Sequence, residues 1–241
     1  MNKPEIRILE GLAGARAARG VAVIIDVFRA FSLAPWALAR GARCVVPVAT
    51  AEEAFAFRER EPGCLLAGEY DGRQVDGFDF GNSPADISRA SLADRVLVHR
   101  TGAGVQGLLA AENADAIVAA SFLTARATAE WLRASGTSTV SLVAMGWNGH
   151  EPALEDQACA VYLAGALAGS PPDFPALKRA IRDDPTGQRF FDPALPWFTP
   201  EDFEACLDLD RFGFVVVAKP DPDFGLCLMA DGGVSPADRT A

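Results

Sequence analysis

The chain has 241 residues, half of them hydrophobic, and its 32 Asp and Glu against 22 Lys and Arg give a formal net charge of −10. That length can bury a sizeable core as one large α/β domain or two intimate lobes. The negative balance argues against a general nucleic-acid or acidic-membrane binder, because long-range repulsion opposes both partners.

The N-terminal MNKPEIRILEG has no apolar signal-peptide core, and Arg29 and Arg40 interrupt the apolar stretch after Gly20. No transmembrane segment is therefore expected, and the expected location is cytoplasmic. Residues 1–150 carry 16 acids and 15 bases and residues 151–241 carry 16 and 7. An anionic small substrate thus meets less repulsion in the first stretch, while the acidic remainder reads as a solvated face. Five scattered cysteines, without a CxxC or a Cys/His cluster, speak against structural zinc and a disulfide framework.

VAVIID, residues 21–26, reads as a buried parallel strand ending in a carboxylate, followed by a loop with Val27, Phe28 and Arg29. SLAPWALARG suggests a short helix blurred by Pro35, and CVVPV, residues 44–48, the next strand. Thr50 and Glu53 have capping-box spacing ahead of the amphipathic EAFAFRER, and GCLLAGE is a strand ending near Glu69. Ser83, Pro84 and Asp86 mark another helix start, with Pro84 at its first position. RVLVHR and DAIVAASF are strands separated by GVQGLLAAEN, which establishes a βαβ rhythm. TARATAEWLRAS predicts a helix, TVSLVAM a buried strand and ALEDQACAVYLAGALAG a long apolar helix. After a composition change at residues 170–176, helices are expected at 176–183 and near Glu201. FGFVVVAKPDPDFGLCLMAD then predicts an antiparallel hairpin. The expected fold is a layered α/β/α architecture with a mainly parallel sheet and a mixed or antiparallel C-terminal portion. Residues 1–170 form its main region and 171–241 an extension packed on the same fold.

Strand carboxyl ends are the usual ligand-facing edge of such a sheet. Asp26 there can hold a hard divalent cation and Arg29 can grip phosphate; a structural Asp26–Arg29 pair or a helix cap satisfies the same spacing. Glu69 occupies an analogous strand end, as a partner around Mg²⁺, an orienter of water, or a solvated turn residue. In GFDFGNSP, Asn82 and Ser83 open a helix whose N–H groups would stabilise phosphate, although helix capping alone explains Ser-Pro-x-Asp. In HRTGAGVQG, Thr101, Gly102 and Gly104 can form an anion nest with Arg100 neutralising charge, or an ordinary strand-to-helix turn. This is neither a P-loop nor GxGxxG. His99 and His150 show no ligand spacing and read as structural. Glu155 and Asp156 open a helix on which adjacent side chains diverge, so one metal need not take both. The aromatic residues around 190–203 could cover an active site, with packing between helices the preferred reading.

IIDVFRAFS, LAGEYDGRQVDGFDFGNSP, RTGAG and ALEDQACAV stand in the order of motifs in the 2-phosphosulfolactate phosphatase family, which the chain resembles over residues 20–165 and more weakly to the end. The resemblance implies a Mg²⁺-dependent α/β phosphatase that hydrolyses 2-phospho-3-sulfolactate to 3-sulfolactate and phosphate. Its partner would be a small phosphorylated and sulfonated acid; a homo-oligomer is left open. Matching positions are Asp26, Arg29, Glu69, Asn82, Ser83, Thr101, Gly104, Glu155 and Asp156. Physical reasoning then assigns catalysis to Asp26, Glu69 and Glu155, and Mg²⁺ to Asp26, Glu69 and Asp156. Substrate binding falls to Arg29, Asn82, Ser83, Arg100, Thr101, Gly102 and Gly104. Without a DxDx phosphatase signature, direct attack by water is expected in place of a covalent aspartyl intermediate. TGAGV stands where the family commonly has a TTNGT-like loop, and SFLTA, with Thr124, where it has SFLNA. These departures keep the phosphate-handling framework and leave the exact acid open. Another small phosphorylated acid, a noncatalytic binder of a phosphorylated ligand, and a structural subunit remain as alternatives.

Overall fold

A computed structural model of the chain describes residues 4–235. Its strands are β1 (Glu5–Glu10), β2 (Val21–Ile25), β3 (Cys44–Val48), β4 (Leu65–Tyr70), β5 (Arg73–Gln74), β6 (Val96–Arg100), β7 (Ala116–Ala120), β8 (Thr139–Ala144), β9 (Val215–Asp221) and β10 (Gly225–Asp231). The helices are α1 (Gly11–Ala17), α2 (Ala30–Ala39), α3 (Ala51–Arg60), α4 (Pro84–Arg89), α5 (Ala103–Ala110), α6 (Ala125–Ser135), α7 (Leu154–Ala168), α8 (Phe174–Asp183), α9 (Pro185–Gln188) and α10 (Pro200–Cys206).

The strands form one ten-stranded sheet in the order β1-β8-β2-β7-β9-β10-β3-β6-β4-β5. Helices cover both faces, so the α/β class with a mainly parallel sheet and an antiparallel portion holds. β2 shows why its apolar run is continuous. Val21, Val23 and Ile25 enter one core with α6 and α7, while Ala22 and Ile24 enter the other with α2 and α5. A strand buried on both faces has no reason to alternate with polar residues. A third cluster, with Val46, Leu66 and Val98 beneath Ala54 and Phe57 of α3, covers the far block.

The expected hairpin is β9–β10, but it lies mid-sheet: β9 pairs antiparallel with β7, and β10 pairs antiparallel with β3. The parallel strands are therefore divided by the hairpin. β1, β8, β2 and β7 form one parallel block, and β3, β6 and β4 form another. Between β2 and β3 lie four pairings. Three of them are antiparallel, so the second block runs opposite to the first. β1, α1 and β5 were not predicted. β1 is an edge strand with no buried residue, so EIRILE carries no core signal.

Two helix starts have the anticipated chemistry. Thr50 and Glu53 form the reciprocal capping box of α3, and Ser83 Oγ accepts the Asp86 N–H at 3.1 Å to begin α4. All five cysteines are free and buried. Among the described residues no helix is long and apolar enough to cross a membrane.

Candidate functional site

Loops following strands of both blocks enclose a cavity of about 70 Å³. Asp26, Phe28 and Arg29 follow β2; Glu69 is the penultimate residue of β4, with Asp71 and Gly72 in the turn after it; Thr101, Gly102 and Ala103 follow β6. Asn82 precedes α4, Gly146, Trp147 and Asn148 follow β8, and Phe198 precedes α10. At roughly 10–15 Å³ for each water-sized position, the space holds a few waters and suits a small acid.

Asp26 is buried at the cavity wall, and its Oδ1 accepts the Ala30 N–H at 3.3 Å. Burial, followed by the negative charge of Glu155 and Glu69, raises its pKa to about 7, against lowering hydrogen bonds from the Ala30 and Gly104 N–H groups. Such a carboxyl exchanges its proton near neutrality. Glu69 Oε2 accepts the Gly72 N–H at 2.8 Å, and Oε1 stands 3.8 Å from Arg100 Nη1.

The alternative of a structural Asp26–Arg29 pair does not occur. Arg29 reaches instead to Asp202, with Nη1 2.9 Å from Oδ2, and donates to the carbonyls of Trp197 at 2.8 Å and Gly72 at 3.2 Å. The guanidinium also stacks over Phe198, 4.7 Å from the ring centre. Asp202 Oδ1 accepts from Ser83 Oγ at 2.7 Å and from the Ala85 N–H at 3.0 Å. One buried carboxylate thus ties the β2 loop, the start of α4 and α10 together, and presents Arg29 at the wall.

Asn82 and Thr101 are buried and face the cavity. Ser83 is absent from the lining, since its hydroxyl caps α4 and donates to Asp202. Arg100 also lies outside the lining. It donates to the Glu69 carbonyl and stacks 3.7 Å over the Tyr70 ring, so it braces the Glu69 turn.

Glu155 and Asp156 are buried at the start of α7, and neither lines the cavity. Asp156 accepts the Val27 N–H on Oδ1 at 2.7 Å and the Gly146 N–H on Oδ2 at 2.8 Å, fixing two cavity loops to each other. Burial and the charges of Glu155 and Asp26 push its pKa well up. Burial likewise raises that of Glu155, whose Oε2 is 2.9 Å from Thr186 Oγ1. Among the described residues no three His, Cys, Asp or Glu side chains form a metal-ligating group. The expected trio of Asp26, Glu69 and Asp156 is therefore reduced, at the cavity itself, to Asp26 and Glu69.

Gly104 does not line the cavity but supports it: a Cβ there would stand 2.8 Å from Asp26 Oδ2 and 3.0 Å from Phe31 Cζ. Gly104→Ala is expected to keep the fold and, by displacing the Asp26 carboxylate, to lower turnover about 10²-fold, checked by steady-state kinetics beside a melting curve. Unchanged kinetics would show that the close approach is immaterial. Sequence reasoning missed Asp202, Asp71, Gly72, Trp147 and Asn148. It also left Phe198, now on the wall, among packing residues.

The chain matches the model of the family described as 2-phosphosulpholactate phosphatase over residues 7–220. Among its relatives is a protein of Bacillus subtilis (strain 168) named "Probable 2-phosphosulfolactate phosphatase", 32% identical over 220 residues, which are 90% of this chain and 94% of that protein. A protein of the same name from Parasynechococcus marenigrum (strain WH8102) is 32% identical over 221 residues, 90% of this chain and 88% of its own. Another so named, from Deinococcus radiodurans, is 38% identical over 149 residues, 61% of this chain and 60% of its own.

Proposed function

Since the chain belongs to the 2-phosphosulfolactate phosphatase family, we propose that it is a phosphoric monoester hydrolase that releases phosphate from 2-phospho-3-sulfolactate. The observation that carries this reading is the joint presence of Asp26, Glu69, Arg29, Asn82 and Thr101, from separate segments, on one small cavity.

The carboxylates Asp26 and Glu69 suit Mg²⁺, which takes one or two protein carboxylates together with substrate phosphate and water. Burial first, and then the negative charges of Glu155 and Glu69, raise the pKa of Asp26, an effect that a cation bound beside it would oppose. Asp26 and Glu69 would hold the ion, which when bound neutralises phosphoryl charge and acidifies a water. Arg29 grips phosphoryl oxygens from its Asp202-fixed position, and Asn82 and Thr101 donate to them. Phe28, Trp147 and Phe198 supply apolar wall that keeps bulk water from the bond being broken. Asp156 holds the Asp26 and Trp147 loops at a constant spacing through the Val27 and Gly146 amides.

Phosphate release from 2-phospho-3-sulfolactate and a panel of small phosphorylated acids, with Mg²⁺ added or chelated, tests the reading. Mg²⁺-dependent release from the sulfonated substrate is expected. No release from any compound by folded, metal-replete protein rejects the enzyme. Release from a different acid alone keeps the chemistry and rejects the substrate.

A further inference from the structure

The phosphate-binding arrangement gives no role to a buried imidazole directly behind the cavity wall. His99 sits in β6, 2% exposed, and does not line the cavity. Its Nε2 lies 3.0 Å from Oδ1 of Asn82, which does. With the amide oxygen turned toward the ring, this contact assigns the ring proton to Nε2, which then donates it. Burial, then the charges of Arg100 and Arg29, push the His99 pKa down to about 3, so the ring is neutral and has a single N–H.

We propose that His99 is a positioning residue for Asn82, holding the amide oxygen away from the cavity so that the amide NH₂ is presented to an anion. Turning the carboxamide over would set its NH₂ against the Nε2–H, donor facing donor, and point its oxygen at the phosphate. His99 makes that orientation unfavourable. An amide that could otherwise offer either polarity becomes a donor. The inference rests on the phosphate-binding reading above.

Inorganic phosphate is the probe, its affinity measured by competitive inhibition and by calorimetry in the wild type, His99→Leu, His99→Gln, Asn82→Ala and the His99→Leu/Asn82→Ala pair. His99→Leu is expected to weaken phosphate binding about tenfold, the scale of one lost hydrogen bond to a charged group. His99→Gln, which retains an N–H donor, should recover most of the loss. The double variant should bind no more weakly than Asn82→Ala, because both changes act through one hydrogen bond. Wild-type affinity in His99→Leu, or losses that add in the pair, overturn the inference while the phosphate reading stands. Failure of the wild type to bind phosphate overturns both. The nitrogen-15 spectrum of wild-type His99 gives a readout independent of any variant's folding: the Nε2–H tautomer is expected, and the Nδ1–H tautomer overturns the proposal.

Discussion

Asp26→Asn is expected to slow phosphate release by about 10²–10⁴-fold and, in the same preparation, to raise the melting temperature at pH 8 in chelator. Both effects come from one environment. Asp26 is buried, and Glu155 and Glu69 add negative charge, so its pKa in the fold is about 7 against 3.8 for a free carboxyl. Between these values the folded state binds the extra proton, and stability therefore falls as pH rises from about 4 to 7 and stays reduced above it. Asparagine carries no charge to bury, and its amide oxygen can still accept the Ala30 N–H. The variant escapes the penalty and loses the carboxylate. His99 works in the opposite sense: its depressed pKa gives stability that is complete above about 6.5 and is lost as pH falls toward 3. Melting curves from pH 4 to 8 in chelator should thus show a wild type that loses stability toward neutrality relative to Asp26→Asn. Equal melting temperatures at pH 8, or retained turnover, would show that Asp26 is neither a strained charge nor part of the chemistry.

Strands that feed the core were legible because burial leaves a direct mark on composition. VAVII and TVSLVA could be read as buried without knowing their partners, since a strand covered on both faces has little place for charge. Partner choice left no such mark. Val215–Val217 are apolar because they are buried, and they would be so at an edge covered by a helix or, as found, between two parallel blocks. The hairpin's central place depends on Ile117, Val118 and Ala119 meeting Ala218, Val217 and Val216, a long-range pairing that local chemistry does not encode. Edge position also hid β1, which has no buried member, Ile6 and Leu9 only partly entering the two cores.

At the site, strand-end chemistry was legible and tethering was not. Asp26, Glu69 and Thr101 follow or end apolar runs, so the rule that ligands bind at strand carboxyl ends was enough to nominate them. Asp202 has the spacing of a third-position acid in a capped helix, with Thr199 Oγ1 accepting its N–H at 3.2 Å. Nothing local distinguishes it from Glu53, which folds back on its own cap. Asp202 departs because Arg29 and Ser83, more than a hundred residues earlier, meet it across the fold. Similarly, Asp156 was expected among the Mg²⁺ ligands as a position matching the family's motif. Its oxygens in fact accept backbone N–H groups from two loops.

Asp202→Ala should therefore be among the most damaging single changes away from the reacting groups. It leaves Arg29 as a buried cation without its anion and removes the acceptor for Ser83 Oγ and the Ala85 N–H. Removing one partner of a buried ion pair costs about 3–5 kcal/mol, which in a chain of this size lowers the melting temperature by roughly 6–20 °C. Asp202→Asn keeps polar contact but not charge, and should fall between the wild type and Asp202→Ala. Paired replacement, Arg29→Met with Asp202→Leu, removes the stranded charge and should regain part of the stability, while Ser83 and Ala85 still lack their acceptor. Turnover separates the two roles of the pair. The double variant has no guanidinium at the cavity, so recovered stability should bring no recovery in phosphate affinity or kcat/KM. Urea unfolding and phosphate-release kinetics on these variants measure both. A double variant as active as the wild type would remove Arg29 from phosphate binding, and an Asp202→Ala protein of unchanged stability would show that the three segments hold together without this carboxylate.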